Sequence, residues 1–357
     1  MKHLLWLILL PATALTAPIK GFNKTYQDWD LICDNTGTCH MAGYQADEDF
    51  DRAVSLLFTR AAGENAPIRA KLALWPYNNE NDKELQLSDT SEIILNGQSL
   101  GTVKNMADAA DLDVQQTAAL LAALKSHADI QIVSGEFKGK LSDKGATAAM
   151  LKMDEFQQRL NTPSALIRQG QEKHAVLAPQ AVPQINAIRV NPQKTTTLEP
   201  GNKQFNAILA LLRQSNGINE NAEDYCYVLH DKERENLQIT LYPLTQGKVL
   251  AETLCWLGAY QSGNYYAVMD EKLSKVEQVL ANQYEYADYD EKTHGFLVSG
   301  SFKGRGIGDC WGGQEAIWNG KIFIRTKEWT TGSCKGFTGG AWQLPIFESN
   351  IKVKYSV

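Results

Sequence analysis

The segment Gly304-Arg305-Gly306-Ile307-Gly308 is the first place where residue type and spacing could do chemistry. A glycine-rich turn behind a strand can wrap a phosphate in backbone N–H groups. That chemistry needs a helix opening directly after the glycines, and here Asp309-Cys310-Trp311-Gly312-Gly313 follows. A turn bordered by a disulfide is the better reading. Asp47, Asp49 and Asp51 alternate like calcium ligands, yet Arg52 stands where the loop needs glycine and Phe58 where it needs a bidentate carboxylate, so a solvated acidic loop is expected. In Gly332-Ser333-Cys334-Lys335-Gly336 the serine sits one place too early for a nucleophile elbow. Ser349-Asn350-Ile351-Lys352 fits Ser-x-x-Lys by spacing alone. His40, His127, His174, His230 and His294 are scattered, so a catalytic histidine would have to find its partners through the fold. Paired carboxylates for glycoside cleavage are identified by separation in space, which sequence does not give. No catalytic set emerges.

Aromatic residues carry more. Trp256, Trp311, Trp318, Trp329 and Trp342 crowd into the second half with Tyr260, Tyr265, Tyr266, Tyr284, Tyr286 and Tyr289. Flat rings with a polar tip suit sugars or protein partners when exposed, and a small β core when buried. Trp311, Trp329, Trp318 and Trp342 are the candidate ligand-binding residues. Trp311 and Trp329 lead, because they sit beside glycine- and threonine-rich loops rather than in mid-strand.

Six cysteines bear on the compartment: Cys33, Cys39, Cys226, Cys255, Cys310 and Cys334. An even count reads as three disulfides in an oxidising compartment, although six cysteines allow fifteen connectivities. Sequence neighbours are expected to pair, Cys33 with Cys39, Cys226 with Cys255 and Cys310 with Cys334, since each pair brackets one turn or hairpin. No C-x-x-C and no zinc-spaced histidine pair occurs, so neither a metal nor another cofactor is expected.

At the front, residues 1–17 join Lys2, an apolar run from Leu4 to Leu10 and small residues at Ala12, Ala14 and Ala17, the layout of a secretory signal peptide. The run falls well short of the roughly 20 apolar residues that span a bilayer, and no later stretch is apolar enough to do so. The rest is ordinary globular material, 43% hydrophobic and 21% charged. A net charge of −6, more negative still without Lys2, disfavours nucleic acid and anionic membranes as partners.

The elements that would position these residues fall into two groups. Tyr26 to Ile32, Ala53 to Arg60, Ile68 to Trp75 and Ile130 to Lys138 read as strands, and Asn96-Gly97 marks a hairpin within 92–100. Asp113 to His127 reads as a helix, and a second, capped by Ser142, runs from Asp143 to about Leu160. From about 171 to 200, Pro179, Pro183, Pro192 and Pro200 break any pattern and suggest a linker. Beyond it a short helix, Lys203 to Gln214, introduces many short strands, Tyr225 to Leu229 among them, with a hairpin at Asn319-Gly320. The expected architecture is α+β: a mixed domain at 18–170, a linker at 171–200, and a mainly antiparallel β domain at 201–357, sandwich or small barrel, stapled by disulfides.

Asp28-Trp29, Cys33-Asp34-Asn35, Cys39, Arg305 to Cys310, Ile317-Trp318-Asn319-Gly320, Phe323 and Cys334-Lys335-Gly336 together resemble the bacterial envelope family catalogued as domain of unknown function eleven seventy-six. The resemblance covers nearly the whole mature chain. The run from Val133 through Leu160 also resembles the invasion-associated locus B family of exported proteins. Trp311 stands where the first family's pattern has Gly, and Lys335 where it has Arg. The resemblance implies a periplasmic location and a two-part build, without an established activity. The expected role is a periplasmic, non-catalytic binding or interaction module for a cell-envelope glycan or a periplasmic or outer-membrane protein. A periplasmic hydrolase whose site assembles only in the fold, and a structural or assembly factor, are the alternatives.

Overall fold

A computed structural model describes residues 19–49, 52–78, 83–106, 109–222, 224–234 and 236–354. The expected signal peptide at 1–17 lies outside them. No helix among the described residues is long and apolar enough to cross a membrane.

The chain is built mostly of antiparallel sheet. In the first half, Phe22–Tyr26, Trp29–Cys33, Cys39–Tyr44, Val54–Arg60 and Ile68–Leu74 form a meander, edged by Ala110–Asp111. A second sheet runs in the order Phe137–Leu141, Ile130–Ser134, Thr90–Leu95, Gln98–Lys104. The Asn96-Gly97 hairpin forms as expected, both residues at positive φ (50° and 80°) as a tight two-residue turn demands. Trp29, Met41, Leu56 and Phe58 from the first sheet meet Ile93, Ile130, Ile132 and Phe137 from the second, and two helices close the core with Leu120, Leu124, Met150 and Met153.

The helix Val114–Ala123 opens on a capping box, in which Asp113 accepts from the Gln116 amide at 2.7 Å while Gln116 Oε1 accepts from the Asp113 amide at 3.1 Å. Asp113→Ala is expected to destabilise the fold by about 1 kcal/mol, read as a shifted urea midpoint with an unchanged m-value. The other helix departs from expectation. It spans Ala146–Phe156 and starts from Gly145 rather than Ser142. The Ser142 hydroxyl donates to Asp28 at 2.7 Å, and its carbonyl accepts from the Trp29 indole at 2.9 Å. Gly145 sits at φ +99°, where a Cβ would stand 1.7 Å from the Tyr26 carbonyl oxygen, so glycine alone fits the start.

In the second half one sheet runs Thr196–Leu198, Ile239–Pro243, Lys248–Leu257, Ser262–Asp270, Val276–Tyr284. Another runs Tyr286–Asp290, Gly295–Lys303, Trp311–Trp318, Phe323–Thr330, Leu344–Glu348. Leu250, Tyr266 and Val268 of the first pack against Phe296, Val298 and Trp318 of the second, and the helix Lys203–Asn216 covers the former's other face through Phe205, Ile208 and Leu212. Tyr225 to Leu229 is not a strand. Tyr227–His230 is a short helix, with the Arg213 side chain donating to the Leu229 carbonyl at 2.7 Å and Asn216 accepting from the Cys226 amide at 3.1 Å.

Three disulfides join Cys33 to Cys39, Cys226 to Cys255 and Cys310 to Cys334. The stretch read as a free linker is docked instead. Gln184–Ile188 pairs in parallel with Asn350–Lys354, and the Gln180 amide donates to Thr36 at 2.9 Å. The halves also share apolar packing: Phe337, Trp342 and Leu344 lie against Ile32, Ala42, Tyr44 and Leu57 of the first sheet.

Candidate functional site

Two loops of the second half, 304–310 and 331–340, are tied together by Cys310–Cys334, and around them the chemistry-bearing residues of the sequence converge. The glycine-rich stretch does not wrap a phosphate. Arg305 grips Asp309 through Nε and Nη2, at 2.8 and 2.5 Å, and also donates to the Cys334 carbonyl at 3.1 Å. Asp309 accepts from the Gly336 amide at 2.7 Å. Burial pushes the Asp309 carboxyl up, but Arg305 and that amide outweigh it and hold it below its usual range. Asp309, Cys310 and Cys334 lie close enough to share a cation, yet the two sulfurs are bonded to each other and the carboxylate is held by Arg305.

From this loop pair Lys335 reaches back into the first half. Its ammonium lies 2.7 Å from Asp28 and 2.7 Å from Asp47, and donates to the Gln45 carbonyl at 3.3 Å. Gln45 returns the contact, donating to the Lys335 carbonyl at 2.7 Å. Beside it, Asp30 accepts from the Ser333 amide and hydroxyl at 2.6 and 2.8 Å. Tyr44 donates to the Thr331 carbonyl at 3.4 Å, its phenol pushed well above the usual range by burial and by Asp30. Asp47, read as part of a solvated loop, is exposed yet engaged by Lys335. Ser333 donates to a carboxylate instead of acting as a nucleophile. These contacts form a clamp, in which Asp28 joins Lys335 across the molecule.

The aromatic face lies beside the clamp. Trp329 borders three adjoining open grooves of about 420, 570 and 480 Å³, sizes within the range of ligand sites. The first groove is walled by Trp256, Phe302, Gly313, Gln314 and Ile346, with Trp256 and Phe302 ring centroids 5.6 Å apart. The second runs to Trp342, whose indole N–H donates to Ser55 at 2.7 Å. The third includes Trp311, whose indole N–H donates to the Gly308 carbonyl at 2.9 Å and whose backbone amide donates to the Thr331 hydroxyl at 2.7 Å. These bonds fix two of the walls.

Gly313 pairs directly with Trp329 in the sheet, and a Cβ there would fall 2.7 Å from the indole. The ring therefore rests where another residue would have a side chain. Gly313→Ala is expected to displace the Trp329 ring, shifting its fluorescence with the fold retained. A variant whose emission matches the wild type would show that the ring is not displaced.

The structure keeps three of the four candidate tryptophans on this face. Trp311, Trp329 and Trp342 are half-buried groove walls. Trp318 is a correction: it is 0% exposed, packs on Phe323 at 5.4 Å between centroids and donates to Thr245 at 2.9 Å, so it is core. Counting by two along Trp311–Trp318 places its two tryptophans on opposite faces, a signal the sequence did contain. Phe302 and Lys303 were missed and Trp256 was named only among the crowded aromatics, because the register of one sheet and the approach of Trp256 from the other sheet bring them beside Trp329. The histidines do not gather: His40 meets Thr59, His127 meets Asp143, His174 meets Gln158, His230 meets Asn216 and His294 meets Tyr289.

No curated protein matches the chain. Among solved structures, a tail fiber of Staphylococcus aureus phage P68 aligns at 7% identity over 84% of this chain and 70% of that chain, with a TM-score of 0.13, which carries no argument. Of the two family resemblances, the one built on the Asp28-Trp29, Arg305–Cys310 and Cys334-Lys335-Gly336 segments is met by a family model, and the invasion-associated one is not. The segments that carried it are those the clamp joins, and the match runs over residues 23–348: the chain belongs to the family described as protein of unknown function (DUF1176).

Proposed function

We propose that this protein is an exported, periplasmic and non-catalytic binding module that holds a stretch of cell-envelope glycan across the face centred on Trp329. The observation that carries the reading is the placement of one half-buried indole at the meeting point of three grooves, with Trp256, Phe302, Trp311 and Trp342 as walls. Aromatic faces suit the apolar faces of sugar rings, and the neighbouring Asn23, Gln314 and Gln343 offer partners for hydroxyls. A row of grooves suits a chain of sugars better than a single one.

The carboxylate lining the first groove, Glu328, is paired with Arg325, and Asp309 of the adjoining loop is gripped by Arg305, which favours recognition over acid–base chemistry. Export is supported by the leader-like residues 1–17 and by three disulfides, which persist in oxidising compartments. The test is a tryptophan-fluorescence titration of the oxidised mature protein against soluble peptidoglycan fragments and envelope polysaccharides. A saturable change is expected with at least one of them. A flat response across the panel would sink the glycan reading and turn attention to a protein partner.

A further inference from the structure

The third groove is lined by Lys303, whereas the charges lining the other two, Lys71 and Glu328, are each ion-paired. Lys303, at the end of the Gly295–Lys303 strand, has its backbone fixed on both sides by Gln261, which accepts from its amide at 2.9 Å and donates to its carbonyl at 3.1 Å. Its ammonium lies 5.6 Å from the centre of the Trp311 ring and 5.8 Å from that of Tyr260. Two rings thus hold the cation by their negative faces. Among the described residues no carboxylate comes within ion-pair distance of it, whereas the charged groups around it are already matched: Arg305 with Asp309, Arg325 with Glu328 and Lys71 with Asp111. In a chain of net charge −6 this leaves one uncompensated positive charge at the rim of an aromatic groove.

Resting on the glycan reading above, we infer that the groove selects an acidic saccharide, and that Lys303 receives a sugar carboxylate while the ring bearing it lies along Trp311 and Trp329. A single ammonium suits a carboxylate monoanion. A phosphate would call for more donors, and the nearby guanidinium is committed to Asp309. Ile307, 63% exposed on the same rim, adds apolar surface for the sugar face.

The test compares two probes, a linear uronic-acid oligosaccharide and the same oligosaccharide with its carboxyls reduced to alcohols, titrated into the full oxidised protein. The wild type should bind the acidic probe about tenfold more tightly, as expected for one charge-assisted contact, with the preference shrinking as salt rises. Lys303→Gln should bind both probes alike, at the wild type's affinity for the reduced one. Trp329→Ala should lose both. Equal affinity of the wild type for the two probes, or a preference that survives in Lys303→Gln, overturns the carboxylate assignment and leaves glycan binding standing. Failure of the wild type to bind either probe overturns both.

Discussion

Replacing Lys335 with methionine is expected to destabilise the fold by roughly 3 kcal/mol in urea unfolding, because a buried ion pair that loses one partner strands the other. Asp28 would be the stranded group. It is 9% exposed, and once Lys335 is gone the Ser142 hydroxyl remains as its side-chain partner. Methionine preserves length and apolar stem, so the loss reports the charge. A loss below about 1 kcal/mol would show that the clamp does not hold the halves together.

The same clamp sets a pH window. Burial pulls the Lys335 ammonium down, but Asp28 and Asp47 outweigh this and hold it above the usual lysine range. A raised cation stabilises fully below its unfolded value, and that contribution is lost as pH climbs through the folded one. Asp47 is held low chiefly by its hydrogen bond to Lys335. A depressed carboxylate stabilises above its unfolded value, and that contribution is lost as pH falls through the folded one. Stability of the wild type should therefore fall below about pH 4 and again above about pH 10.5. In Lys335→Met both falls should be shallower, with the buried Tyr44 and Tyr266 phenols still contributing to the alkaline one and the Arg305-held Asp309 to the acid one.

Trp329→Ala is the second large effect, an expected loss of about 30-fold or more in affinity for whichever glycan the fluorescence panel selects. Central aromatic anchors cost upward of about 2 kcal/mol when truncated, and Trp329 is shared by all three grooves. Trp342→Ala and Trp256→Ala, each confined to one groove, should cost less. Trp329→Phe should recover part of the binding, since a flat ring still covers Gly313.

Local signals in the sequence spoke for local structure. The Cys33–Cys39 disulfide, the Asn96-Gly97 and Asn319-Gly320 turns and the Asp113 helix start each depend on a few nearby residues whose backbone needs are written in their types, and the other two disulfides each close a longer excursion of the chain between neighbouring cysteines. Tertiary contacts overrode other expectations. Ser142 looked like a helix cap, but its hydroxyl is spent on Asp28, which lies 114 residues earlier. The proline-rich stretch around 184–188 looked unpaired, because its partner is the far end of the chain at 350–354. The clamp itself joins Asp28 to Lys335 across 307 residues, a pairing that no window of sequence displays. Trp311 and Trp329, expected beside loops, are half-buried and lie in the strands Trp311–Trp318 and Phe323–Thr330. Lys303 acquires meaning only once Tyr260 and Trp311 are seen on either side of it.

The most direct measurement is calorimetric titration of the selected glycan into the wild type and into Trp329→Ala, each first shown to share the same urea midpoint within error. Saturable heat with the wild type and none with the variant is the predicted result. Equal heats from the two proteins would place the ligand elsewhere and contradict an account centred on Trp329.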